Sequence, residues 1–79
     1  MTREPITTVA ELEALDHDEV LEGYHDGHDG VPEPGNNRSF SYWHGWRNGM
    51  IDRGRLPVDA AAHALARDCI NTGYFRKLR

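Results

Sequence analysis

The sequence predicts an all-α fold, a small helical hairpin with a third C-terminal helix and a short capped N-terminal helix. Three observations indicate this class. Glycines recur at helical spacing in two separate segments, capping residues precede several apolar runs, and the C-terminal third carries an apolar stripe of helical period.

The length of the chain allows one small domain. It has 79 residues, of which 38% are hydrophobic, and a mean hydropathy of -0.73, so we expect a thin core. Such a core rarely contributes more than about 3–5 kcal/mol, and the single cysteine, Cys69, excludes an internal disulfide. We therefore expect residues 1–79 to form one helical domain that is supported by a partner, by a homodimer or by tight helix packing.

Hydropathy predicts a cytoplasmic protein that does not enter a membrane. No apolar run approaches the ~20 residues that span a bilayer. The N-terminal segment MTREPITTV lacks the apolar core of a signal peptide.

The formal net charge of -4 is unevenly distributed. Residues 1–33 hold ten acidic side chains and one basic one, whereas residues 34–79 hold eight basic and three acidic ones. The two halves could attract each other, within a monomer or a head-to-tail dimer. Alternatively, the basic half binds RNA or phosphate, or the acidic half imitates nucleic acid.

Residues 8–29 are predicted to form the acidic N-terminal helical part. Thr8 and Glu11 form one capping box, and Asp16 with Glu19 forms a second capping signal. We therefore expect either two short helices or one helix that is bent near His17. A flexible loop is the alternative for the glycine-containing end of this segment.

Residues 30–37 form a Pro/Gly linker, and residues 39–53 a Trp-rich helix that is capped by Ser39 or Ser41 and ends at Gly54. Glycine costs roughly 1 kcal/mol relative to alanine inside a helix, so the recurring glycines indicate close approach of another backbone. The two glycine faces together predict an antiparallel hairpin. The residues to which we assign helix packing are Gly23, Gly27, Gly30, Gly45, Trp46 and Gly49.

Residues 57–72 are predicted to form the C-terminal helix, with Pro57 in its first turn and Asp59 supporting its N-terminal end. Gly73 is the expected C-cap, with Tyr74 and Phe75 folding back onto the last turn. Residues 73–79 form a basic tail. The predicted apolar stripe consists of Val58, Ala61, Ala62, Leu65, Cys69 and Thr72.

The polar residues do not predict catalysis, a metal or a cofactor. His25 and His28 share a face, but a metal site needs three or four convergent ligands, and only His17 or His44 could complete one. Cys69 falls on the apolar stripe, where a thiol is inert, and the glycines are not arranged as a phosphate-binding loop.

Residues 37–47 interleave arginines with aromatic residues, a pattern that can bind RNA by phosphate pairing and base stacking. The candidate residues for contact with RNA or another partner are Arg38, Tyr42, Trp43, Arg47 and Arg53. The alternative is that Trp43 and Trp46 form the core of a protein with few core residues, and for Trp46 we favour that interpretation.

Residues 20–53 resemble the ribosome modulation factor family. The matching residues are Gly23-Tyr24, Gly27 and Gly30, a connector with proline, Asn37-Arg38-Ser39, Trp43 and Gly45-Trp46-Arg47. The resemblance implies two helices joined by a linker, in a non-enzymatic regulator of translation that binds the small ribosomal subunit near the messenger exit region and promotes inactive ribosome dimers. It implies that Arg38, Arg47 and Arg53 contact ribosomal RNA, while the glycines and Trp46 maintain the fold.

This chain departs from the family in its acidic net charge and in its additional C-terminal helix. Two other functions therefore stay open. One is a small acidic protein-interaction module or inhibitor, of phage or mobile-element origin, that binds a protein partner or mimics nucleic acid. The other is a helical structural domain that dimerises through its apolar stripes.

Overall fold

The computed structural model describes residues 4–73, and these residues form four helices. They are α1 (Val9–Glu13), α2 (His17–His28), α3 (Phe40–Asp52) and α4 (Ala60–Thr72). Residues 4–73 contain no strand, so the predicted all-α class is confirmed. None of these four helices is long and apolar enough to cross a membrane.

The contacts divide the chain into two compact units. The central unit is Leu15–Pro57, and the terminal unit combines Met1–Ala14 with Val58–Arg79. The single domain over residues 1–79 stays a prediction. The fold-back of Tyr74 and Phe75 and the basic tail after Gly73 lie outside the described residues.

Each helix is preceded by an N-cap residue whose side chain accepts a hydrogen bond from a backbone N–H of the first turn. The acceptors are Thr8 for α1, Asp16 for α2, Ser39 for α3 and Asp59 for α4. Such caps satisfy N–H groups that lack a partner within the helix. Because Asp16 caps a new helix, the region around His17 forms two short helices rather than one bent helix.

The ends of the helices agree with the predicted glycine positions. Gly54 after α3 has φ 81 and Gly73 after α4 has φ 71, in the left-handed region that glycine adopts at little cost. The predicted start of the last helix is wrong, since α4 begins at Ala60. Pro57 precedes the cap Asp59, and Val58 is 53% exposed and does not belong to the apolar stripe.

The predicted antiparallel direction of the hairpin is also wrong, because α2 and α3 run parallel. Gly45 lies beside Val20 and Tyr24, and four residues later Gly49 lies beside Tyr24 and His28. The positions that meet therefore advance together along both helices.

The length of the connection permits the parallel direction. Helix α2 has 12 residues and is about 18 Å long at 1.5 Å per residue. Residues 29–39 can extend by about 3.3 Å each, which is enough to return along this length. On this return, Val31 and Glu33 are bonded to tryptophans of α3, and Ser39 reaches Glu19 near the start of α2.

The terminal unit has a small core of Ile6, Val9 and Cys69, all of which are buried. The backbone N–H of Val9 donates a 2.7 Å hydrogen bond to Oδ2 of Asp68 in α4. Burial, followed by the nearby charge of Asp68, raises the pKa of the Cys69 thiol. This shift disfavours the reactive thiolate.

Candidate partner-binding surface of the central unit

Four glycines bring the backbones of α2 and α3 into direct contact. A β-carbon added at Gly23 or Gly27 would overlap the carbonyl oxygen of Tyr42 or Trp46, respectively. In the same way, β-carbons at Gly45 and Gly49 would overlap carbonyl oxygens of α2. The Gly-x-x-x-Gly spacing of each helix therefore fits the other helix, as in other closely packed helix pairs.

Gly30 has a different role from the one that the spacing predicts. It is exposed, follows the end of α2 and has φ 85. A β-carbon on it would lie 3.0 Å from Cζ of Arg55, a side chain, rather than against the backbone of α3. Gly30 therefore permits the turn into the linker and lies outside the helix contact.

Both tryptophans of α3 form hydrogen bonds with the linker between α2 and α3. The indole N–H of Trp46 donates to the carbonyl oxygen of Val31 at 2.6 Å, and that of Trp43 donates to Oε2 of Glu33 at 3.1 Å. The two indoles are only 5% and 6% exposed, and they form the core of the central unit with Tyr42. Both rings are therefore buried in the core of the central unit, while each indole N–H has a hydrogen-bond acceptor.

Acidic side chains of α2 accept hydrogen bonds from donors in or just before α3. Ser39 donates to Glu19 at 2.8 Å, the guanidinium of Arg38 lies 2.9 Å from Glu22, and the Tyr42 hydroxyl donates to Asp26 at 2.5 Å. Within the central unit, this arrangement favours the interpretation that the two oppositely charged segments attract each other.

Two buried groups in α3 have strongly shifted pKa values. Burial, supported by the hydrogen bond to Asp26, raises the pKa of Tyr42 to about 12. Burial, supported by the positive charge of Arg47, lowers the pKa of His44 to about 4. Both shifts keep the side chain neutral near pH 7.

The three predicted partner-contacting arginines differ in exposure. Arg38 and Arg47 are half-buried, and their guanidinium carbons lie 3.8 Å and 5.3 Å from the ring centres of Tyr42 and Trp43. Arg53 is exposed at the C-terminal end of α3. The guanidinium groups of Arg38 and Arg47 therefore lie over rings, whereas the side chain of Arg53 is exposed to solvent.

The two predicted partner-contacting aromatic residues are located in the core. Tyr42 is 4% exposed and Trp43 is 6% exposed. Stacking on a nucleobase requires an open ring face, so these two rings cannot provide a platform as they stand. They were assigned to a surface because aromatic residues next to arginines occur both in cores and in RNA sites.

Sequence reasoning missed the structural roles of Ser41 and His44. Ser41 Oγ accepts a 2.9 Å hydrogen bond from the N–H of Asp16, which joins the starts of α2 and α3. His44 is 1% exposed, and its Nε2 lies 3.1 Å from the amide nitrogen of Asn48. The sequence gives no signal that Ser41 and His44 are buried, because both are polar. Helix α3 is buried on several sides, so that polar positions are enclosed as well.

A group of rings lies in the C-terminal half of α2, and we call it the ring cluster (Tyr24, His25 and His28). His25 is exposed, whereas Tyr24 and His28 are half-buried. The Tyr24 ring lies 6.1 Å from that of His28 in a stacked arrangement and 6.0 Å from that of His25 edge-on. The Tyr24 hydroxyl donates to Asp52 of α3 at 2.7 Å. This bond fixes the cluster to the end of α3.

Within residues 4–73, no group of three or more His, Cys, Asp or Glu side chains is arranged to hold a metal ion. Comparison of the chain with family models, with curated proteins and with solved structures finds no match.

Proposed function

We propose that this chain is a non-enzymatic cytoplasmic protein that binds the small ribosomal subunit and regulates translation, as the ribosome modulation factor family does. One observation carries the proposal. The residues of the resemblance act together in one unit: Gly23, Gly27 and Gly45 form the helix contact, and Trp46 holds the returning linker. The two-helix arrangement that the resemblance implies is also the arrangement of this unit, and this supports the proposal of ribosome binding.

In this proposal, the contacts with ribosomal RNA come chiefly from arginines. Arg53 is exposed, and Arg38 and Arg47 retain part of their surface while they cover Tyr42 and Trp43. Arginine–phosphate contacts release counterions from the RNA, and this release becomes less favourable as the salt concentration rises. Binding that depends on such contacts therefore weakens with salt.

Sedimentation of the full chain with purified ribosomal subunits over a salt series tests this function. We expect the protein in the small-subunit fraction at low salt and progressively less as salt rises. Arg53→Gln should weaken this association, whereas Arg67→Gln, which removes an exposed arginine of α4, should leave it unchanged. Absence of the protein from the small-subunit fraction at low salt would contradict the proposal.

A second candidate is binding to a basic protein surface. The central unit holds eight acidic and four basic side chains. Asp18 and Leu21 of α2 and Asp29, which follows α2, are exposed. This candidate predicts that Asp18→Asn combined with Asp29→Asn abolishes binding to a captured protein partner and leaves the fold intact. An unchanged set of captured proteins would reject it.

A further inference from the structure

The sequence pattern of residues 37–47 predicts base stacking by Tyr42 and Trp43, but these buried rings do not offer a surface for it. Trp43 and Tyr42 are 6% and 4% exposed, and the ring of Trp43 also packs against that of Phe40 with 5.5 Å between centres. The ring cluster differs in this respect. His25 is exposed, and Tyr24 and His28 are half-buried.

The geometry of the ring cluster suits stacking. Tyr24 and His28 are four residues apart and therefore lie one turn apart on the same side of α2. Their planes are inclined by 30°, whereas His25 meets Tyr24 at 76°. The cluster thus consists of two rings at a small mutual inclination and a third ring that meets Tyr24 edge-on.

Two arginines lie at the same end of the central unit. Because α2 and α3 run parallel, their C-terminal ends are adjacent, and the bond between Tyr24 and Asp52 joins them. Arg53 follows Asp52, and the guanidinium of Arg55 lies beside Gly30, two residues after His28. The acidic residues at this end are Asp52, which accepts a hydrogen bond from the Tyr24 hydroxyl, Asp26, which accepts one from the Tyr42 hydroxyl, and Asp29.

We infer that the ring cluster, with Arg53 and Arg55, is the surface that binds unpaired bases and phosphates of single-stranded RNA. This inference rests on the proposed function and adds to its arginine contacts a base-stacking surface at the end of α2, in place of the one that the sequence predicts at Tyr42 and Trp43. Aromatic side chains, including histidine, stack on unpaired bases, and arginines pair with the adjoining phosphates.

The test measures binding of the full chain to a labelled oligouridine and to a labelled strand of equal length that lacks bases. We expect the wild-type chain to bind the oligouridine at least about fivefold more tightly, since each stacked base adds roughly that much or more. The double variant His25→Ala/His28→Ala should bind both strands equally, and His25→Phe/His28→Phe should restore the preference. His63→Ala, at an exposed histidine of α4, is the matched control and should bind as the wild type does.

Circular dichroism of each variant establishes that the helices are retained. The inference is overturned if the wild-type chain does not distinguish the two strands, or if the double alanine variant distinguishes them equally well.

Sedimentation with ribosomal subunits separates failure of this inference from failure of the proposed function. If the double alanine variant binds both oligouridine and ribosomal subunits as the wild type does, the inference about the ring cluster is rejected, whereas the proposal of ribosome binding is not. A wild-type chain that prefers oligouridine but ignores subunits supports the cluster and rejects the ribosome.

Discussion

Gly45 of α3 lies so close to Val20 of α2 that a β-carbon on Gly45 would overlap the Val20 carbonyl oxygen. The contact is reciprocal, because Gly23 of α2 lies in the same way against the carbonyl oxygen of Tyr42. Contacts of this type place glycine Cα–H groups against carbonyl oxygens, where weak hydrogen bonds form. The stability of the central unit therefore depends on the absence of side chains at these glycines.

Gly45→Ala is expected to lower the free energy of unfolding by about 2–3 kcal/mol. The added methyl group meets backbone atoms on α2, which cannot move aside as a flexible side chain can. Urea denaturation followed by circular dichroism measures the change. The control is Gly35→Ala, because a β-carbon there would meet only Oδ1 of Asn37 at 3.5 Å and should change stability by less than about 0.5 kcal/mol. Equal effects of the two substitutions would mean that the backbones are not in contact.

Trp43→Ala should destabilise the protein by about 3–5 kcal/mol, because it empties a buried site beside Tyr42 and Trp46. Trp43→Phe keeps most of the volume and should cost about 1–3 kcal/mol, mainly through the lost hydrogen bond to Glu33. Thermal unfolding and subunit sedimentation of both variants give the comparison. If Trp43→Ala kept full stability but lost binding, Trp43 would belong to the partner surface instead of the core.

The stability of the protein should fall as the pH is lowered from about 6.5 towards 4. The pKa of His44 is lowered from 6.5 to about 4 in the folded chain, so the unfolded chain binds the proton more readily in this range. The stabilisation is complete above pH 6.5 and decreases by about 2–3 kcal/mol as pH falls through the folded pKa.

Urea denaturation at a series of pH values measures this dependence. In His44→Gln, the part of the slope that His44 contributes between pH 6.5 and 4 should disappear, while the difference from the wild type stays constant between pH 7 and 9. A slope that is the same in both proteins would show that His44 is protonated as easily in the folded chain as in the unfolded one.

Ionisation of Tyr42 should lower the free energy of unfolding at alkaline pH. The folded pKa of about 12 lies above the ordinary value of 10.0, so the stabilisation is present below pH 10 and is lost as pH rises towards 12. Ultraviolet titration of tyrosinate should show a late-titrating group that is missing from Tyr42→Phe. A wild-type titration in which every tyrosine ionises near pH 10 would argue against the buried bond to Asp26.

The helix boundaries were largely predictable because they depend on neighbouring residues. Thr8, Asp16, Ser39 and Asp59 each cap the helix that follows. Pro57 was misplaced because proline is compatible with the first turn of a helix but also with the extended residues before a cap. Asp59, two residues later, provides the actual cap.

The direction of α3 could not be predicted from the glycine spacing, since Gly45 and Gly49 fit Gly23 and Gly27 in either direction. The linker is long enough for either direction, and the path that it takes depends on the bonds from Trp43 and Trp46. The pairs between α2 carboxylates and Ser39, Arg38 and Tyr42 depend in turn on that register. For the same reason, the sequence identified residues of the central unit correctly as a group while it assigned Tyr42 and Trp43 to the surface.

The parallel, glycine-mediated contact between α2 and α3 underlies both the fold and the proposed binding surface, and nuclear Overhauser effects in the unmodified chain test it most directly. We predict cross-peaks from the α-protons of Gly45 to the amide proton of Tyr24, and from those of Gly49 to the amide proton of His28. These pairs are expected because β-carbons on the two glycines would lie 2.9 Å and 2.7 Å from the respective nitrogens. Cross-peaks that pair Gly45 with His28 and Gly49 with Val20, in the reverse order, would show antiparallel helices and contradict the parallel contact.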